Sequence, residues 1–119
     1  MSLSVNQTFK KMSPEKAQEW IDNLKGKYWD KKGRGYLCVG AGEMCCLGVL
    51  ADMHDELEGI GRKAINGSYR IPPEHFFFKH GISRLVGSNI GGNLMNLNDQ
   101  SETFQPVIDL IQKTFIDEA

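Results

Sequence analysis

An α+β domain, with three to four helices packed around a small antiparallel sheet or hairpin, is the fold the sequence predicts. Three observations carry that expectation. Apolar residues recur at helical spacing in three separate segments, around 13–26, 44–58 and 103–115. Between the first two lies a β-prone run, 36–39, followed by Gly40-Ala41-Gly42, which can turn the chain. With 119 residues, 40% hydrophobic and 24% charged, the chain can build one core and not two. Residues 13–119 are therefore read as a single domain behind a polar lead-in, 1–12.

Each element has its own local reason. Ser13 is a good N-cap with Pro14 at the first helical position, and Ala17, Trp20, Ile21 and Leu24 then follow the helical period until Gly26. A strand or hairpin is expected within 34–44. From Cys46, the positions Cys46, Val49, Leu50, Met53 and Leu57 again repeat at helical spacing, so a helix is expected over 44–58, ended by Gly59-Ile60-Gly61. Gly48 inside it costs about 1 kcal/mol relative to alanine, which points to close approach by another element. The stretch 61–73 reads as loop, with Asn66-Gly67 as a turn, a short strand available at 69–71, and Pro72-Pro73 as a rigid break. A short helix begins at Pro73-Glu74 and runs to about Lys79 before Gly81. Residues 87–93, GSNIGGN, read as a glycine-rich turn, and LMNLND leads into the last helix. Thr103 is the expected N-cap there, and Phe104, Val107, Ile108, Ile111 and Phe115 form the apolar stripe that closes the core.

Several function classes are disfavoured by composition. A net charge of −1 and a pI near 6.3 do not call for duplex nucleic acid as a partner. The N-terminus lacks an apolar signal region, and no stretch approaches the roughly 18 apolar residues of a membrane span, so a soluble, cytoplasmic protein without membrane contact is expected. Cys38, Cys45 and Cys46 are odd in number and form no secreted-type framework, which suits a reducing compartment.

The segments GRGYL, CCLGVLADM and LMNLNDQSETFQPVIDLI together resemble a family of small, mostly uncharacterised proteins encoded by phages and prophages. Those share a glycine-flanked strand, a Cys-Cys-Leu-Gly-Val helix, and a late Leu-Asn-Asp segment before a Ser/Thr-Phe helix. The similarity spans roughly 13–117. The chain departs from the pattern at Asp30-Lys31-Lys32, where a glutamine-bearing turn is more common. The resemblance implies an origin in a phage or prophage, a setting in which small single-domain proteins often act by binding host components.

Five of the 14 basic residues, Lys25, Lys27, Lys31, Lys32 and Arg34, fall within ten positions and interleave with Tyr28, Trp29 and Tyr36. Aromatic faces beside cationic donors suit a nucleotide, a single strand or a phosphorylated signal; the plainer account is a solvated turn. Trp29, Lys31, Lys32, Arg34 and Tyr36 are thus candidate ligand contacts. A second polar cluster contains Asn93, Asn96, Asn98 and Asp99, of which Asn96, Asn98 and Asp99 are candidates, with turn and capping chemistry as the alternative. Cys45 and Cys46 invite a nucleophile, yet His54 lies about 12 Å from Cys46 along a helix, and packing is the simpler role. Metal-ligand spacings and a phosphate loop are absent, so neither metal nor cofactor is expected. The acidic residues Asp109, Asp117 and Glu118 read as a solvated face.

The reading that best joins these features is a non-enzymatic, phage-type binding protein. It sequesters or inhibits a host component, such as an anionic nucleotide signal of an anti-phage defence pathway, or a defence protein. A small cysteine-dependent enzyme is the alternative. A third reading is an assembly accessory using an apolar patch in 75–78, HFFF, because three consecutive phenylalanines cannot all face one helical side. Self-association is left open.

Overall fold

The computed structural model describes residues 10–40, 42–83 and 90–118. Among these described residues five helices occur in the order α1 (Pro14–Lys25), α2 (Cys46–Met53), α3 (Glu74–His80), α4 (Ile90–Gln100) and α5 (Gln105–Ile111), the last continuing as a π-helical segment, Gln112–Asp117. α1 packs against α2, α5 and the π-helical segment, while α4 packs against α2 and α5. One hydrophobic core joins them. It is built from Trp20, Ile21 and Leu24 of α1, Leu47 and Leu50 of α2, Phe76 and Phe77 of α3, Leu94 of α4, and Phe104, Ile108 and Phe115 near the C-terminus. No helix among the described residues is long and apolar enough to cross a membrane.

α1 forms for the reasons visible in its sequence. The Ser13 hydroxyl accepts a hydrogen bond from the Lys16 amide at 3.2 Å, Pro14 opens the first turn, and Ala17, Trp20, Ile21 and Leu24 are all buried. Trp20 also donates its indole N–H to the Cys46 carbonyl, 3.1 Å away, which fixes α1 against the start of α2.

The expected α+β class is overturned, because the described residues contain no strand and no sheet. Only isolated bridges occur, among them Lys32 with Met44, Cys38 with Met44 and Cys38 with Lys63. The β-prone run 36–39 fails to extend for a physical reason. Its backbone is shared among three separate segments: the Leu37 amide donates to Tyr69, the Val39 amide to Glu43, and the Cys38 carbonyl accepts from Lys63. Leu37 and Cys38 are both buried, so the side chains do not alternate between two faces. Gly35 and Gly42, at φ of 75° and 89°, bend the chain on either side of it. The short strand expected at 69–71 is likewise absent. Part of the expected turn, Ala41, lies outside the described residues, as do 1–9 of the lead-in and 87–89 of the glycine-rich segment.

Helix boundaries also differ. α2 stops at Met53 rather than near 58, because Asp55 takes a left-handed conformation at φ 59°. A further helix, α4, occupies 90–100, where the sequence suggested only turn and capping residues. Thr103 does accept a hydrogen bond from the Gln105 amide, although Phe104 occupies the N-cap position of α5.

α3 is held from outside the core by one carboxylate. Glu56 accepts from Lys79 and, at 2.7 Å, pairs with the buried His80 ring. Burial pushes the His80 pKa down against the opposing pull of Glu56. Burial alone would raise Glu56, but its bonds from Lys79 and His80 outweigh that and hold it below the usual carboxylate value. Of the three phenylalanines, Phe76 and Phe77 are buried and Phe78 is 42% exposed.

Gly48 is where α2 meets the 36–39 segment. A Cβ there would lie 1.8 Å from the Leu37 carbonyl oxygen and 2.7 Å from its carbon, both backbone atoms that cannot swing aside. Helix propensity favours alanine over glycine by about 1 kcal/mol. The clash reverses the sign, and Gly48→Ala is expected to destabilise the fold by about 3 kcal/mol in urea unfolding. An unchanged or raised midpoint would contradict the contact.

Candidate functional site

Part of the first polar cluster, Arg34 with its flanking glycines, meets Asn98 and Asp99 of the second where the 33–35 loop lies across α4 and the start of α2. Asn98 is fully buried and makes the junction. Its Oδ1 accepts from the Cys46 amide at 3.1 Å, and its Nδ2 donates to the Gly33 carbonyl at 3.0 Å and to Asp99 at 3.2 Å. Asp99 Oδ1 in turn accepts from the Gly35 amide at 3.0 Å, and Arg34 donates to the Ser101 carbonyl at 3.1 Å. Asn98 and Arg34 therefore spend polar groups on holding the loop. No buried side-chain nitrogen or oxygen among the described residues lacks a partner.

Beside this junction lies a groove of about 260 Å³, lined by Gly35, Cys45, Arg70, Ile71, Met95, Asn96 and Asp99. Met95, Asn96 and Asp99 come from one side of α4, and Arg70 and Ile71 from the loop before α3. Of the candidate contacts, Asn96 and Asp99 line the groove. Tyr36 flanks it through Arg70, whose guanidinium donates to the Tyr36 hydroxyl at 2.7 Å. Arg62 and Arg70 both sit over the Tyr36 ring, 4.3 and 4.5 Å from its centroid. The hydrogen bond and charge of Arg70, with Arg62 adding, pull the Tyr36 pKa below that of an ordinary phenol.

The remaining candidates lie apart from the groove lining. Trp29 is 39% exposed and Lys31 is exposed, and neither lines it. Lys32 is half-buried; burial first, then the neighbouring Arg34 charge, lowers its pKa, with Asp99 opposing. Arg62, Arg70, Ile71 and Met95 were not singled out by sequence, because they come from loop and helix positions with no shared spacing and meet only through the fold.

The cysteines are structural. Cys45 caps α2, its Sγ accepting from the Gly48 amide at 3.4 Å. Burial pushes its thiol up to about 11, and burial, with the neighbouring Cys45 adding, pushes the Cys46 thiol well above the usual value. Both remain protonated near neutral pH, the wrong state for a nucleophile or metal ligand. Among the described residues no group of three or more His, Cys, Asp or Glu is placed to hold a metal ion. Asp109 and Asp117 are exposed and bonded to Gln105 and Gln112, as a solvated face requires.

Neither a family model, nor a curated protein, nor a solved structure matches the chain, so the resemblance to phage-encoded proteins rests on its sequence motifs.

Removing the Asn98 amide orphans the Cys46 N–H and the Gly33 carbonyl inside the fold, at about 1–3 kcal/mol for each group. Asn98→Ala is expected to lower thermal and urea stability accordingly, whereas the same change at exposed Asn96, on the same helix, is expected to stay within about 0.5 kcal/mol. Equal losses in the two variants would contradict the assigned division between structural and groove-facing asparagines.

Proposed function

We propose that this chain is a non-enzymatic binding protein of phage type, which takes up a small anionic, nucleotide-like ligand of its host and thereby sequesters it. One observation carries the reading: Arg62 and Arg70 are gathered on the ring of Tyr36 at the edge of the groove, and neither forms an ion pair among the described residues. Each is a cation with no anionic partner among the described residues, and a bound anion supplies one. Planar guanidinium groups match phosphate oxygens in geometry as well as charge. The phage setting comes from the sequence resemblance, and counter-defence is the role that such a setting suggests for a small binding protein. The protonated, buried thiols weigh against the cysteine-dependent enzyme.

A second reading, direct binding of a host defence protein, draws on the exposed apolar side chains Tyr69, Ile71 and Phe78. Calorimetric titration separates the two. Nucleoside monophosphates are expected to bind the wild-type chain, with affinity falling as salt rises. The Arg62→Ala/Arg70→Ala variant, checked for folding by thermal melts, is expected to lose about 1.5–3 kcal/mol per charged bond removed. Absence of nucleotide binding, or equal affinity in both proteins at every salt concentration, would refute the sequestering role. In that case, co-purification with a host polypeptide would favour the second reading.

A further inference from the structure

The groove has two electrically different walls. Its loop wall carries the Arg70 guanidinium and apolar Ile71; its helix wall carries the Asp99 carboxylate, the Asn96 amide and apolar Met95. Asp99 is fixed in place, since its Oδ1 holds both the Gly35 amide and the Asn98 side chain, while its Oδ2 makes no hydrogen bond among the described residues. A bare phosphate suits Arg70 and is repelled by Asp99. A neutral sugar suits Asp99 and leaves the arginines unanswered. A ligand with an anionic group at one end and hydroxyl donors at the other satisfies both walls at once.

Size narrows the class further. At about 260 Å³ the groove falls below the roughly 300–1,000 Å³ of sites for drug-sized molecules. A volume of that order is on the scale of a single nucleotide unit. A fixed carboxylate that accepts from ribose hydroxyls is a general means of recognising a nucleotide sugar.

Building on the proposed nucleotide-binding reading, we infer that the ligand is a ribonucleoside monophosphate, held with its phosphate at Arg62 and Arg70 and its ribose hydroxyls on Asp99. Ile71 and Met95 then pack the base, and Asp99 is the residue that distinguishes ribose from deoxyribose. Asp99→Asn is a conservative test, because the amide retains an oxygen for Gly35 and replaces only the groove-facing acceptor with a donor.

The experiment is calorimetric titration of the full chain and the Asp99→Asn variant with each of the four ribonucleoside 5′-monophosphates and their 2′-deoxy counterparts. Wild type is expected to bind at least one ribonucleotide about tenfold or more tighter than its deoxy form. In Asp99→Asn that preference is expected to vanish, with deoxynucleotide affinity unchanged or improved. Equal ribo and deoxy affinities in wild type, or a preference that survives in a folded Asp99→Asn, overturns the assignment to Asp99 and leaves nucleotide binding standing. No binding of any nucleotide overturns both. Should the variant melt early, the ribo-to-deoxy ratio of the wild-type chain decides alone.

Discussion

The side-chain amide of Asn98 is the contact on which the other parts of the structure depend. It lies in the interior, where an unpaired polar group is costly, and it is fully used. Its oxygen takes the Cys46 amide, the first N–H of α2, which helix geometry leaves without a partner within the helix. Its nitrogen takes the Gly33 carbonyl, so the loop between α1 and α2 is fastened to α4. From the opposite side Trp20 donates to the carbonyl of the same residue, Cys46. One residue at the start of α2 is thereby gripped through its N–H by α4 and through its carbonyl by α1. Apolar burial supplies most of the driving force for this core, while the paired polar contacts select one arrangement of the helices.

The groove follows from that arrangement. With Asn98 holding the loop, its neighbour Asp99 faces outward and captures the Gly35 amide. Two consecutive residues of α4 thus divide the work, one buried and structural, the other exposed and available to a ligand. Cys45 closes the groove beneath them while capping α2 through its sulfur. Gly48, one turn along, lets the 36–39 segment lie directly on α2, which brings Tyr36 and its two arginines to the rim.

What the sequence made legible and what it hid divide along the range of the interactions. α1 was readable because cap, proline and apolar stripe all lie within its own residues. The need for glycine at position 48 was readable because its helical cost demanded a compensating contact. α4 was hidden, since its buried face runs through Leu94 and Asn98, and a polar residue at a core position looks like a turn former until its distant partners are known. The sheet was overpredicted because β-prone residues reveal nothing about partners. Tyr69, Glu43 and Lys63 take one backbone group each from residues 37–39, and no continuous ladder results. For the site, the polar half was legible as clusters in sequence. Arg62 and Arg70 carried no local signal, because only the fold sets them on Tyr36.

Amide hydrogen exchange at Cys46 tests the central claim most directly. The first N–H of a helix ordinarily exchanges quickly for want of an intrahelical acceptor, as expected for the Glu15 amide in the first turn of α1. If Asn98 holds α2 as described, the Cys46 amide exchanges only through global unfolding, as slowly as the core amides of Val49 and Leu50. Exchange of Cys46 at a rate like that of Glu15 would show that the Asn98 bond is not maintained, and would contradict the dependence of loop, helix and groove upon it.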